Sequence, residues 1–96
     1  MDRQVAIKKL KLAKPLLEQK FGVSHLGLFG STARGESTEA SDLDLVVAFK
    51  DAPTAHNFFG VQFYLEDSFG CNIDLVSEGS IRAEFKPYIE RDLIKI

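Results

Sequence analysis

The chain has 96 residues, of which 45% are hydrophobic and 27% are charged, a composition typical of a globular protein with one core. We therefore expect a single domain that spans residues 1–96. The 12 Lys and Arg residues and the 14 Asp and Glu residues give a net charge of -2, which excludes a general electrostatic attraction to nucleic acid or anionic lipid. Any phosphate group would have to be bound by a local site.

Cysteine usage and hydropathy predict a cytoplasmic protein. Cys71 is the only cysteine, so the chain forms no intramolecular disulfide and no cysteine-based metal cluster. The first 14 residues mix charges into every turn, which argues against a secretory signal. No apolar run approaches the length of a membrane span, and we expect no membrane partner.

The first predicted element is an amphipathic helix over residues 2–21. Its apolar residues recur roughly at helical spacing, and they are Val5, Leu10, Leu12, Leu16, Leu17 and Phe21. Pro15 lies inside this pattern, so either the helix kinks there or two shorter helices meet. Gly22 suits the end of the helix because glycine tolerates a left-handed backbone conformation.

Three strands are predicted. The first, residues 26–29, ends at a turn signal. The second, residues 43–49, is apolar except for Asp44, which is typical of a central strand covered on both faces. The third, residues 72–76, is apolar except for Asp74. The two aspartates in otherwise apolar strands require an explanation.

A second helix is predicted to begin near Pro53 and Thr54. Its regularly spaced apolar stripe consists of Phe58, Val61, Leu65 and Phe69. We assign the aromatic residues of this helix to the core, namely Phe58, Phe59, Phe63, Tyr64 and Phe69. Weaker helical patterns follow at residues 80–84 and 88–96.

Asp42 and Asp44 point to the same face of the second strand because strand side chains alternate with a period of two. Ionised carboxylates in this apolar setting are costly to desolvate, and two neighbouring like charges increase the cost. A divalent cation is the simplest remedy, and Asp74 on a neighbouring strand would supply a third carboxylate. Three hard oxygen ligands suit Mg²⁺ or Mn²⁺ rather than Zn²⁺. By itself, a short acidic pair often occurs by chance.

Gly30 and Ser31 predict a phosphate-binding turn. They follow a strand and precede a helix, where backbone N–H groups are exposed. Gly30 permits close approach of a triphosphate and Ser31 adds a hydroxyl donor, whereas the alternative is an ordinary turn with a serine cap. Arg34 follows this turn and either contacts the triphosphate or is a solvated residue of a short helix.

The order and spacing of these motifs resemble a known signature. Gly30-Ser31, ten intervening residues and the acidic pair Asp42 and Asp44 are similar to the signature of the DNA polymerase beta-type nucleotidyltransferase superfamily. The combination is far more specific than either motif alone.

The wider segments at residues 28–36 and 41–47 resemble the small stand-alone minimal nucleotidyltransferases, called MNT proteins, which are usually encoded beside HEPN-domain toxins. The resemblance covers essentially the whole chain and includes Asp74 and the C-terminal tail. It implies the nucleotidyltransferase fold, an α/β (α+β) domain with a short mixed β-sheet and helices packed on one face. The catalytic groups are then expected at strand ends on the other face.

The resemblance also implies roles for individual residues in a two-metal transfer reaction. Asp42 and Asp44 would bridge two Mg²⁺ ions, and Mn²⁺ is a possible substitute. Asp74 would hold the catalytic ion and act as the general base. Gly30 and Ser31 would hold the triphosphate of ATP.

The implied function is transfer of AMP from ATP to a hydroxyl group of a partner protein, a tyrosine of a HEPN ribonuclease toxin, so that the chain acts as an antitoxin. The alternative is a non-catalytic antitoxin that neutralises its HEPN partner by binding and occlusion. A third hypothesis is a template-independent enzyme that adds nucleotides to RNA ends. The lack of a basic stripe argues against it, and we expect no direct binding of nucleic acid.

Overall fold

The structure, a computed structural model, describes residues 2–37 and 42–96. Its helices are α1 (Arg3–Phe21), α2 (Gly30–Ala33), α3 (Ala55–Phe69) and α4 (Lys86–Asp92). Its strands are β1 (Val23–Phe29), β2 (Leu43–Phe49), β3 (Ile73–Ser77) and β4 (Ile94–Lys95), and a 3₁₀ helix covers Glu78–Ser80. Ser41, which belongs to the sequence motif above, lies outside the described residues.

The four strands form one mixed sheet in the order β3-β2-β1-β4. Strand β1 is antiparallel to both β2 and β4, whereas β2 and β3 are parallel and are joined through α3. A parallel pair needs such a crossover because its two strands run in the same direction. The predicted mixed sheet and the central position of residues 43–49 are confirmed.

One face of the sheet carries the hydrophobic core. Leu43, Leu45 and Val47 point to this face of β2, and each is at most 1% exposed. Helices α1 and α3 pack here and contribute buried apolar side chains to the same cluster. We call this side the helix-covered face and the opposite side the open face.

The open face is covered only in part by the C-terminal tail. A Cβ atom built on Gly27 would collide with the side chain of Leu93 and would lie 3.0 Å from Val46. Leu93 therefore packs over the middle of β1, beside the central strand β2. Residue 27 must be small because the tail approaches the sheet backbone so closely here.

Helix α1 runs without interruption through Pro15, so the chain does not split there into two helices. Asp2 caps its start by accepting a hydrogen bond from the Gln4 N–H, and Gly22 ends it with a φ of 74°. The predicted apolar face was partly wrong. Val5, Leu12 and Leu16 are exposed, whereas the buried residues are Ala6, Leu10, Ala13, Leu17 and Phe21. Two alanines on the buried side, which the apolar pattern did not include, have small side chains that let the helix approach the sheet.

Two other predictions are corrected. Phe59 and Phe63 of α3 are 49% and 63% exposed and stack on each other outside the core. The helix predicted at residues 88–96 is confirmed as α4 only as far as Asp92, after which β4 pairs with the edge of β1, and the helix predicted at residues 80–84 does not form. Among the described residues, no helix is long and apolar enough to cross a membrane.

Candidate functional site

Asp44 and Asp74 occupy the same level of two neighbouring parallel strands. Their Cα positions are register partners in the β2–β3 ladder, between apolar pairs that are buried on the helix-covered face. Because side chains alternate along a strand, both carboxylates project from the open face. Asp42 precedes β2 by one residue and has the same parity as Asp44, but it is exposed. The structure thus places the three predicted carboxylates at one end of the open face.

The electrostatic effects at this end of the sheet converge on Asp44. Burial raises the pKa of Asp44 above its usual value, and the charge and hydrogen-bonding capacity of Asp74 raise it further. The charge of Asp42 also raises the pKa of Asp44, whereas the charge of Arg34 lowers it. Asp44 is therefore a half-buried carboxylate with two acidic neighbours and one basic neighbour.

Gly30 lies directly against the Asp44 carboxylate. Its φ of +76° is in the left-handed region, and a Cβ atom built on it would overlap a carboxylate oxygen of Asp44. The closeness follows from the sheet register, since Phe29 is the partner of Asp44 in the β1–β2 ladder. Any side chain at residue 30 would strain the backbone and displace the carboxylate.

Ser31 lies in the short turn α2, directly after Gly30. The Gly30 carbonyl accepts a hydrogen bond from the Arg34 N–H at 3.1 Å, and the Ser31 carbonyl accepts one from the Glu36 N–H at 2.9 Å. The next residue, Thr32, is buried and anchors the turn. The first N–H groups of a helix have no acceptor inside the helix, so this turn is chemically suited to phosphate oxygens. The Gly30-Ser31 pair therefore adjoins the carboxylates, as its predicted role requires.

Arg34 forms ion pairs with two carboxylates, and its side chain remains 40% exposed. Its Nε donates a hydrogen bond to Glu36 Oε2 at 3.0 Å, and its Nη1 donates one to Asp92 Oδ2 at 2.9 Å. The hydrogen bonds with Glu36 and then Asp92 raise the pKa of Arg34. The sequence motifs did not point to Asp92, which is 58 residues from Arg34 along the chain. Contact between Arg34 and a triphosphate stays a prediction.

The donor atoms at this site match the preference of Mg²⁺ for hard oxygen ligands. Within residues 2–37 and 42–96, no three His, Cys, Asp or Glu side chains are already gathered tightly enough to hold a metal ion. Burial and then the neighbouring Asp74 raise the pKa of Asp44, and a bound cation would offset both effects. The residues present therefore fit a divalent cation.

A groove of about 320 Å³ lies farther along the open face. It is lined in part by Gly27, Val46, Leu93 and Lys95, and it contains none of the six residues proposed from the motifs. Val46 follows Asp44 by two positions on the same face of β2, so the groove and the carboxylates share one surface. The six proposed site residues thus lie outside the groove, on the same surface.

The geometry can be compared with known proteins. Residues 10–96 match the family model described as nucleotidyltransferase domain. This chain belongs to the nucleotidyltransferase family. A candidate protein adenylyltransferase of Methanocaldococcus jannaschii is 41% identical over 88 residues, which cover 91% of this chain and 90% of the relative. The protein adenylyltransferase MntA of Thermococcus cleftensis is 35% identical over 83 residues, which cover 86% of this chain and 84% of the relative.

Solved structures agree with the assignment to the nucleotidyltransferase family. The structure of a candidate minimal nucleotidyltransferase superposes with a TM-score of 0.85 at 31% identity, covering 100% of this chain and 97% of the other. An MNT antitoxin from a complex with a tri-AMPylated HEPN toxin of Shewanella oneidensis gives a TM-score of 0.66 at 18% identity, covering 94% of this chain and 69% of the other. At that low identity the second match supports the fold alone. The fold expected from the sequence resemblance is confirmed.

Proposed function

We propose that this chain is a protein adenylyltransferase that transfers AMP from ATP to a hydroxyl group of a HEPN-domain partner, with a tyrosine as acceptor, and thereby acts as an antitoxin. The observation that carries the proposal is the contact between the Gly30 backbone and the Asp44 carboxylate. It joins the predicted phosphate turn to the predicted metal ligands. The names of the two relatives support adenylyl transfer, and the HEPN-domain partner is the one that the family resemblance of the sequence motifs implies.

Asp42, Asp44 and Asp74 are the residues that we propose to hold divalent cations, with two Mg²⁺ ions as the expected set and Mn²⁺ as a substitute. Bound cations would lower the pKa of the acceptor hydroxyl and neutralise charge on the leaving pyrophosphate. The support comes from three carboxylates at one end of the open face, with Asp44 and Asp74 in register. Binding would also offset the burial and the repulsion by Asp74 that raise the pKa of Asp44.

The roles proposed for the remaining groups follow from their chemistry. Gly30 lets the triphosphate approach the backbone, and the Ser31 hydroxyl donates a hydrogen bond to a phosphate oxygen. Asp74 accepts the proton of the acceptor hydroxyl as the hydroxyl oxygen bonds to the α-phosphorus. The bond between the α-phosphorus and the bridging oxygen breaks, and pyrophosphate leaves.

The acceptor class is tested by intact-mass measurement. This chain is incubated with α-labelled ATP, Mg²⁺ and its HEPN-domain partner, and the mass of each protein is measured. We expect the partner to gain one or more AMP units, with the modified residue identified as a tyrosine. Asp74→Asn should abolish the gain, whereas Asp67→Asn, which changes an exposed aspartate of α3, should leave it unchanged.

Three outcomes would contradict parts of the proposal. A complex that suppresses the partner's ribonuclease activity without any mass gain would replace adenylyl transfer with neutralisation by occlusion. A mass gain with Asp74→Asn equal to that of the parent would remove Asp74 from the reaction. A gain on an added RNA, with none on the protein partner, would change the class of acceptor.

A further inference from the structure

The two acidic partners of Arg34 differ sharply in their environment. The side chain of Glu36 is 65% exposed and only two residues away, whereas the side chain of Asp92 is 13% exposed and comes from α4. Exposed ion pairs contribute little because water screens them and the side chains lose freedom. The bond between Arg34 and Asp92 is therefore the one that fixes the guanidinium group.

Asp92 is itself held in place by the residues that follow it. Leu93 packs over Gly27, and Ile94 pairs with Leu28 as part of the sheet. All seven residues of α4 are described and none is buried, so packing within α4 itself does little to hold this segment. The Nε atom of Arg91 lies 3.9 Å from the second carboxylate oxygen of Asp92. Because the Arg91 side chain is 70% exposed, this contact does little to orient Asp92. Asp92 is thus anchored from the sheet and bonded to Arg34.

Arg34 in turn acts on the carboxylate end of the open face. The Arg34 N–H donates a hydrogen bond to the Gly30 carbonyl at 3.1 Å, and Gly30 lies against the Asp44 carboxylate, so Arg34 belongs to the same end of the open face as the proposed metal ligands. Its bonds to Glu36 and Asp92 use Nε and Nη1, and a guanidinium carries five N–H donors in a rigid plane. A guanidinium that is fixed on one edge presents its other donors in a defined direction.

We infer that Asp92 is a positioning residue, which holds the Arg34 guanidinium beside Asp44 so that Arg34 meets the triphosphate of the bound nucleotide. The inference rests on the proposed function, since it assigns Arg34 to the same substrate. It gives the C-terminal segment a role in nucleotide affinity although none of the six residues proposed from the motifs lies in that segment. The link is one hydrogen bond of 2.9 Å between residues that are 58 positions apart.

The test is a double-mutant cycle that is read as nucleotide affinity. The dissociation constant of Mg²⁺-ATP is measured for the parent, Asp92→Asn, Arg34→Gln and the double variant, together with KM for ATP and kcat in the transfer reaction. We expect Asp92→Asn to raise the dissociation constant and KM about tenfold, with kcat within about twofold. In the Arg34→Gln background, Asp92→Asn should have no further effect, because the positioned group is absent.

Matched variants separate positioning from a purely structural role. Glu36→Gln removes the exposed partner of Arg34 and should change affinity by less than about twofold. Arg91→Ala should leave both affinity and kcat unchanged. Asp92→Glu keeps the charge and should restore part of the affinity that Asp92→Asn loses. If Asp92→Asn lowers the melting temperature too far for assay, Asp92→Glu alone and in the Arg34→Gln background completes the cycle.

Two results would overturn the inference. One is an affinity for Mg²⁺-ATP that is the same in Asp92→Asn and the parent. The other is a loss that persists at full size in the Arg34→Gln background, because Asp92 would then act independently of Arg34. Failure of the proposed function appears differently, as a parent protein that binds Mg²⁺-ATP but transfers no AMP to its partner. The binding cycle still tests the inference in that case.

Discussion

The two faces of the sheet use the same strands for different purposes. On the helix-covered face, Leu43, Leu45 and Val47 are closely packed and at most 1% exposed. On the open face, Asp44 and Asp74 lie side by side, and burial and repulsion raise the pKa of Asp44. On β2, a residue that opposes folding, Asp44, therefore lies between two that stabilise the fold, Leu43 and Leu45.

This difference means that stability and activity can be altered separately. A carboxylate beside another carboxylate costs free energy in the absence of a cation, and the buried face supplies the packing that tolerates this cost. Functional sites commonly keep such unfavourable groups because selection acts on activity as well as on stability. Substitution of the open-face carboxylates should consequently lower activity without lowering stability, whereas substitution of buried residues on the helix-covered face should lower stability and largely preserve activity.

The largest effect is expected for Asp44→Asn on the open face. AMP transfer should fall by about 10³-fold, a loss comparable to that from removing an essential electrostatic group from an active site. The melting temperature of the metal-free protein should be equal to or slightly above that of the parent, because the repulsion with Asp74 is removed. Both are measured on the same preparation by an intact-mass assay and a thermal melt. A metal-free melting temperature below the parent's would contradict this account of the carboxylates.

The helix-covered face should show the opposite pattern. Leu45→Ala removes a side chain that is fully buried and should lower the free energy of unfolding by about 2–5 kcal/mol. Assayed well below its melting temperature, the variant should retain activity within a fewfold of the parent. Val76→Ala, on the half-buried side of β3, should cost only about 1 kcal/mol. Denaturant unfolding measures the free energy of unfolding of both variants. Equal losses of stability in the two variants would contradict the distinction between the faces.

Two glycines have nearly the same backbone conformation, so substituting each one separates the effect of backbone strain from the effect of contact with the Asp44 carboxylate. Gly22 and Gly30 have φ values of +74° and +76°, but a Cβ atom on Gly22 meets nothing within 4 Å. Gly22→Ala should lower stability by about 1–2 kcal/mol and leave activity unchanged. Gly30→Ala should carry a similar backbone cost and also lower AMP transfer by about 10²-fold, because its Cβ displaces the Asp44 carboxylate. Equal activity in the two variants would mean that this contact has no role in the reaction.

The strands and their alternation could be predicted from the sequence because they depend on local patterns. The apolar run from Leu43 to Phe49 is long and uniform, and it matches β2 residue for residue. The same alternation indicated that Asp42 and Asp44 share a face. The register that sets Asp74 beside Asp44 is not encoded in either strand alone, and the sequence indicated only that each aspartate interrupts an apolar strand at a corresponding place.

The tail and the exposed apolar residues could not be predicted in this way. Residues 94–95 form a strand only because the edge of β1 is available for pairing, so a local pattern cannot distinguish this segment from a helix. Phe59 and Phe63 are as hydrophobic as the buried residues of α3, but they lie on the outer side of the helix. The bond between Arg34 and Asp92 is equally invisible to a local pattern, since it joins distant segments.

The smallest expected effect is a pH dependence that originates in the open face alone. Folding raises the pKa of Asp44, so the folded state binds protons more tightly than the unfolded state does. This group's contribution to stability therefore falls as pH rises from about 4, the ordinary pKa of an aspartic acid, through the raised pKa of the folded state. Above that range the full penalty is present, and below it the penalty disappears.

The comparison with Asp44→Asn isolates this contribution from those of the other acidic residues. In metal-free buffer, the melting temperature of the variant minus that of the parent should increase with pH across this window and then become constant. Saturating Mg²⁺ should reverse the sign at neutral pH, because a cation that binds the folded parent stabilises it and the variant gains less. A flat difference for Asp44→Asn in metal-free buffer would mean that folding does not raise the pKa of Asp44 through burial and its acidic neighbours, and the contrast between the two faces would then rest on activity alone.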